Sequence, residues 1–118
     1  MQLIVRGRGI RVSPALRGHS VERMERALAP FAERVASAEL VFTDLNGPRG
    51  GLGQSCKVSV GLSDGTKLMV QSLDTDFYAA SGDAATRVGY LLRRELGKTR
   101  SLERRVRPLT HTSTVAPS

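Results

Sequence analysis

The chain has 118 residues, with 18 lysines and arginines against 11 aspartates and glutamates, a formal net charge of +7. At 12.8 kDa it suits one domain, which can bury roughly two-thirds of its unfolded surface without a covalent or metal staple. Its 40% hydrophobic and 25% charged content argues against wholesale disorder, no run approaches the ~18 apolar residues of a membrane helix, and the lone Cys56 excludes an internal disulfide and a multi-cysteine zinc site.

In chain order, the opening Met1-Gln2-Leu3-Ile4-Val5-Arg6 meets an arginine too early for a secretory signal, so a reducing, cytoplasmic setting is expected. Residues 2–8 read as a first strand. Ser13-Pro14 reads as a helix start, with the serine hydroxyl as cap and the proline at the first helical position, where a missing N–H costs nothing. Apolar residues at 16, 21, 24, 28 and 31 then give a helical stripe, and Pro30 either kinks its last turn or ends the helix near Ala29. Ala38–Leu45 forms a second strand. Residues 46–54 are glycine-rich loop, without the Gly-Lys-Ser/Thr of a phosphate loop.

Strand three has Cys56, Val58, Val60 and Leu62 on one side and Lys57, Ser59 and Gly61 on the other. Ser63-Asp64-Gly65 signals a tight hairpin into a fourth strand over 66–73, with Leu68 and Val70 facing in. Asp74-Thr75-Asp76 caps a second helix, whose positive end suits both carboxylates. Its apolar face is Phe77, Ser81, Ala84, Ala85, Val88, Leu91 and Leu92, and Gly97 places its end near Leu96. A basic stretch and a Thr/Ser/Pro-rich segment follow and read as a flexible tail over 99–118. The order β-α-β-β-β-α predicts an α+β domain over residues 1–98, a mostly antiparallel four-stranded sheet with both helices on one face.

The charge is segregated. Residues 1–26 carry six arginines against two glutamates, 27–86 carry four basic and seven acidic groups, and 87–118 carry eight basic against two acidic. If the two basic ends meet in the fold, they form a face for a polyanion, nucleic acid before membrane. On the second helix Arg87, Tyr90, Arg94 and Lys98 fall on one line beside the apolar stripe, with Arg93 further round. Such a row of cations with one aromatic suits phosphates and a stacked base or sugar, and equally suits an ordinary solvated face. On the first helix Arg23 and Arg26 point outward among Glu22 and Glu25, and Glu22 can pair with Arg26. Gly82 and Gly89 are placed on the outward side of the second helix.

Signals for catalysis are poor. His19 and His111 are the only histidines, and His19 reads as a boundary residue, not a base. Cys56 on the inward register reads as a buried, inert thiol. No metal pattern, cofactor or small-molecule substrate is indicated.

Three stretches carry a resemblance over about residues 1–98: Met1-Gln2-Leu3 with Gly7-Arg8 and Val12-Ser13-Pro14-Ala15-Leu16-Arg17; Asp76-Phe77-Tyr78-Ala79-Ala80; and Leu92-Arg93-Arg94. In order and spacing the chain resembles the ribosome hibernation-promoting factor and ribosome-associated inhibitor family, also labelled sigma-factor modulation proteins, in a short form. The resemblance implies a fold similar to double-stranded RNA-binding domains. It also implies binding to the small ribosomal subunit and its 16S rRNA, in the messenger and transfer RNA channel, during stationary phase or stress. The basic positions it carries over are Arg23, Arg26, Arg87, Arg93, Arg94 and Lys98. Ser81-Gly82 and Gly89-Tyr90 depart from the family's usual residues, and Tyr90 stands where a cation is expected. Two other readings remain open: a module recognising structured RNA by shape, and a small enzyme acting on nucleic acid, for which only His19 and scattered aspartates offer themselves.

Overall fold

Alternation within the strands decides which side of the sheet the helices cover. The computed structural model describes residues 1–45 and 53–106, with 98–106 as helical backbone. The elements are β1 (Gln2–Arg8), α1 (Pro14–Leu28) followed by a short 3-10 turn (Ala29–Phe31), β2 (Val35–Asp44), β3 (Gln54–Leu62), β4 (Lys67–Asp74) and α2 (Phe77–Val106). The sheet order is β1-β2-β3-β4, with β1 and β2 parallel and the other neighbours antiparallel. A parallel pair needs a crossover, and α1 supplies it. The β-α-β-β-β-α order and the mostly antiparallel sheet are as the sequence predicts.

Three inward rows cross the sheet: Leu3-Ala38-Val60-Leu68, Val5-Leu40-Val58-Val70 and Gly7-Phe42-Cys56-Ser72. The helices lie over them. Met24 and Leu28 of α1, and Ala80, Ala84, Val88 and Leu92 of α2, are fully or almost fully buried against these rows. Phe42 and Phe77 meet edge to face, 5.4 Å between centroids, which locks the start of α2 to the C-terminal part of β2.

Each helix starts where a side chain can take an orphan N–H. Ser13 Oγ accepts from Leu16 N at 3.1 Å, and Asp76 Oδ1 accepts from Tyr78 N at 2.6 Å and Ala79 N at 3.1 Å. The β3–β4 turn needs Gly65 at a φ of 93°, in the left-handed region that side-chain-bearing residues avoid.

Three local expectations need correction. β2 begins at Val35, not Ala38, with an irregularity between Val35 and Ser37. Strands three and four are each displaced or extended by one or two residues, to Gln54–Leu62 and Lys67–Asp74. The largest difference is α2, which continues through Val106 instead of ending near Leu96. Gly97 was an insufficient stop: one interior glycine costs about 1 kcal/mol against alanine, and the lysine, arginines, leucine and glutamate after it are good helix formers. The glycine-rich loop at 46–52 and the Thr/Ser/Pro-rich end at 107–118 lie outside the described residues.

Candidate nucleic-acid interface

The basic ends of the chain do meet, and they do so across α1 and α2. Because α1 packs along α2, arginines on their facing flanks converge on one shallow groove. Arg23, Arg26, Ala27 and Pro30 line it from one side, and Ala85, Thr86, Gly89 and Arg93 from the other. Arg23 and Arg26 belong to the N-terminal basic segment and Arg93 to the C-terminal one, so residues some seventy positions apart present guanidinium groups to one space.

Gly82 explains how the helices come so close. The expectation that it faces outward is wrong: it is buried, and the half-buried Arg23 lies directly against it. A Cβ at Gly82 would sit 3.1 Å from an Arg23 guanidinium nitrogen, and Arg23 Nη2 donates to Gly82 O at 3.3 Å. Thr86 Oγ1 donates to the same carbonyl at 3.1 Å. Arg23 is therefore held, with its remaining N–H groups available at the groove. Gly89 also turns from the expected outward side towards the groove, where a Cβ would meet nothing within 4 Å. Arg26 pairs with Glu22 at 3.4 Å, the anticipated i,i+4 bridge; both side chains are exposed, so the pair is weak and easily exchanged for a phosphate.

A second cluster lies on the other flank of α2, over the edge strand β4. Val70, Arg87, Tyr90, Leu91 and Arg94 border one shallow depression there. Arg87 is fixed twice: Nε lies 3.1 Å from Asp83 Oδ2, and Nη1 donates to Gln71 O at 3.2 Å. Asp83 in turn accepts from the buried Ser72 hydroxyl at 2.7 Å. This chain ties α2 to β4 and occupies a backbone acceptor on the outer edge of the sheet. Tyr90 is 64% exposed, with its ring free for stacking on one face while the Arg93 guanidinium lies 5.3 Å from its centroid. Tyr90 and Arg93 thus connect the two clusters. Arg94 makes no hydrogen bond or ion pair among the described residues. Lys98 continues the row along the helical backbone, and its side chain lies outside the described residues.

The remaining candidates for chemistry are placed structurally. His19 is half-buried and packs edge-on to Tyr78, 5.1 Å between centroids, with Nε2 buried and unpartnered. Cys56 is fully buried, and burial pushes its thiol up to about 12, so it stays neutral and unreactive. No group of three or more potential ligands gathers around a metal position among the described residues. The sequence reading missed Arg17, whose Nη1 donates to Val5 O at 2.9 Å on the edge strand β1, and Thr86 in the groove. Helical spacing from Arg23 or Arg93 could have found Thr86 only with the α1–α2 contact in hand.

Comparison with curated protein sequences gave no match. Among solved structures, a ribosomal subunit interface protein from Coxiella burnetii has the same fold, with a TM-score of 0.70 at 18% identity, over 82% of this chain and 99% of that one. The N-terminal domain of Protein Y from Thermus thermophilus gives a TM-score of 0.66 at 21% identity, over 80% of this chain and 98% of its own. Residues 3–100, which carry both arginine clusters and all of the sheet but Gln2, match the sequence profile of the Sigma 54 modulation protein / S30EA ribosomal protein family, and the chain belongs to that family.

Proposed function

We propose that this protein is a non-catalytic factor that binds the small ribosomal subunit in the messenger and transfer RNA channel and holds the ribosome inactive under stress or in stationary phase. The observation that carries the reading is the convergence of Arg23, Arg26 and Arg93 on one inter-helix groove, beside the Arg87–Tyr90–Arg94 row. Family membership, and a fold shared with a protein described as a ribosomal subunit interface protein, support the ribosome as the partner.

The mechanism is occupancy driven by electrostatics. Guanidinium groups suit phosphate oxygens because their planar forks donate two parallel N–H bonds. Arg23 and Arg87 are already held by Gly82 O, Asp83 and Gln71 O, so less side-chain freedom is lost when a phosphate docks. Arg26 and Arg93 add charge at the groove and Arg94 adds it on the other flank of α2, where Tyr90 offers a stacking surface to an unpaired base or a sugar. Binding through 16S rRNA would exclude messenger and transfer RNA by volume alone.

The test is co-sedimentation with small subunits as salt is varied. About six phosphate contacts give a slope of log affinity against log salt of about −4. The combined Arg26→Glu, Arg93→Glu and Arg94→Glu variant is expected to lose the small-subunit binding that transfer RNA competes for while keeping its thermal unfolding transition. Transfer RNA added in excess is expected to displace the wild-type protein. Salt-insensitive pelleting, or a charge-reversed variant that pellets with wild-type affinity and is still displaced by transfer RNA, would overturn the reading.

A further inference from the structure

The side of the sheet that no helix covers has its own charge pattern, and the function proposed above does not use it. Its outward rows are Gln2-Ser37-Gly61-Lys67, Ile4-Glu39-Ser59-Met69, Arg6-Val41-Lys57-Gln71 and Arg8-Thr43-Ser55-Leu73. Four cations stand there (Arg6, Arg8, Lys57, Lys67) against one acid, Glu39, and Arg6 Nε holds that acid at 2.8 Å. Every other aspartate and glutamate of the chain lies elsewhere, on the helices, in the turns or at the inward-register strand ends Asp44 and Asp74. This matters because the segment from 27 to 86 is net acidic in sequence. A face kept merely soluble would mix its signs. Here the strand alternation sorts them, leaving Arg8, Lys57 and Lys67 exposed without an acid opposite in the register.

We propose that this open sheet face is a second RNA-binding surface, which takes the phosphate backbone of an RNA segment through Arg8, Lys57 and Lys67, so that the domain carries RNA on both sides. The footprint fits. Lys67 and Arg8 mark opposite corners of a patch about 20 Å along the strands and about 14 Å across, from strand rise and spacing. An RNA duplex presents phosphates of both strands in close succession over such a length. Ile4, Met69 and Leu73, 43%, 62% and 49% exposed, sit between the cations and can cover sugar edges. The face carries no aromatic residue, so it lacks the stacking platform that sheet modules use to read unpaired bases. Backbone contact without sequence preference is the chemistry left.

The proposal stands apart from the helix-side reading, and three full-length variants separate them. One carries Arg8→Glu, Lys57→Glu and Lys67→Glu; one carries Arg26→Glu, Arg93→Glu and Arg94→Glu; one carries all six. The probe is a short RNA duplex of arbitrary sequence, titrated at several salt concentrations. A second assay asks whether protein held on a bead-bound duplex recruits a second, labelled duplex. The wild type is expected to recruit it, and either triple variant to bind one duplex only. The open-face variant is expected to lower the magnitude of the salt slope by roughly two to three, about one for each lost phosphate contact. A second open-face variant with glutamine at the same three positions, which cannot repel its neighbours, is expected to do the same with an unchanged melting temperature. If the open-face variants keep the wild-type slope and still recruit the second duplex, the proposal is wrong. It is equally wrong if the helix-side variant takes up poly-glutamate through this face but no RNA. Loss of small-subunit binding by the helix-side variant alone bears on the function proposed above and leaves this test standing.

Discussion

The two sides of the sheet use the same four strands for opposite purposes. On the covered side Ala38, Leu40, Phe42, Cys56, Val58 and Val60 are buried almost completely, and the only polar residue in the three central rows, Ser72, is satisfied by Asp83. On the open side most of the alternate residues of the same strands are charged, polar or exposed apolar, with Val41 half-buried and Ser55 buried. Folding free energy is therefore concentrated on one side, and the other is left to respond to a partner at little cost to stability. Burial of an apolar side chain is worth about 1.5–3 kcal/mol, whereas an exposed ion pair is worth about 0–1 kcal/mol.

The sharpest way to break this comparison is to truncate neighbours in one strand. Phe42 is fully buried and meets Phe77, so Phe42→Ala is expected to cost about 3–5 kcal/mol. Val41, one residue away on the open side and only half-buried, is expected to cost under about 1.5 kcal/mol as alanine. Denaturant unfolding followed by circular dichroism measures both. Equal losses would mean that the open side is packed against something.

A smaller effect, of opposite sign, is expected in the layer that covers the sheet. Gly89 lies within α2, and a Cβ there meets nothing within 4 Å. Gly89→Ala is expected to stabilise the fold by about 0.5–1 kcal/mol, through helix propensity and a less flexible unfolded chain. The same methyl narrows the groove between Arg26 and Arg93, so RNA affinity is expected to fall as stability rises. A variant more stable and equally tight would show that the groove floor does not approach the ligand.

How far the sequence carried these conclusions differs by element. The strands were legible because alternation has a period of two and survives any packing: Cys56, Val58, Val60 and Leu62 face inward as their spacing requires. Both helix starts were legible because Ser13 and Asp76 act within three residues of themselves. The end of α2 was not, because Gly97 marks a stop only where the following residues resist helix, and these favour it. The basic line on α2 was legible from 3.6-residue periodicity. The groove was not, since it depends on how α1 and α2 cross, and that crossing depends on Gly82 receiving Arg23. A helical wheel drawn for one helix has no second helix on it, which is why it places Gly82 and Gly89 on the outward side. The open-side charge pattern was legible in principle, yet a count along the chain hides it, because alternation sends neighbouring residues to opposite sides.

The finest test lies at the one acid of the open side. Arg6 Nε and Glu39 Oε2 are 2.8 Å apart, with side chains 63% and 35% exposed, so water and salt screen the pair. Glu39→Gln is expected to cost under about 1 kcal/mol at low salt, and less as salt is added. Its effect on binding is expected to have the opposite sign. Removing the carboxylate releases Arg6 and leaves the open side with no negative group, so duplex RNA affinity is expected to rise at low salt, with the log–log salt slope steeper by about one. A surface whose cations merely keep the protein soluble would show the small stability loss without the gain in affinity. Obtaining both from one substitution, in opposite directions, separates a face arranged for a polyanion from a face that is only well solvated.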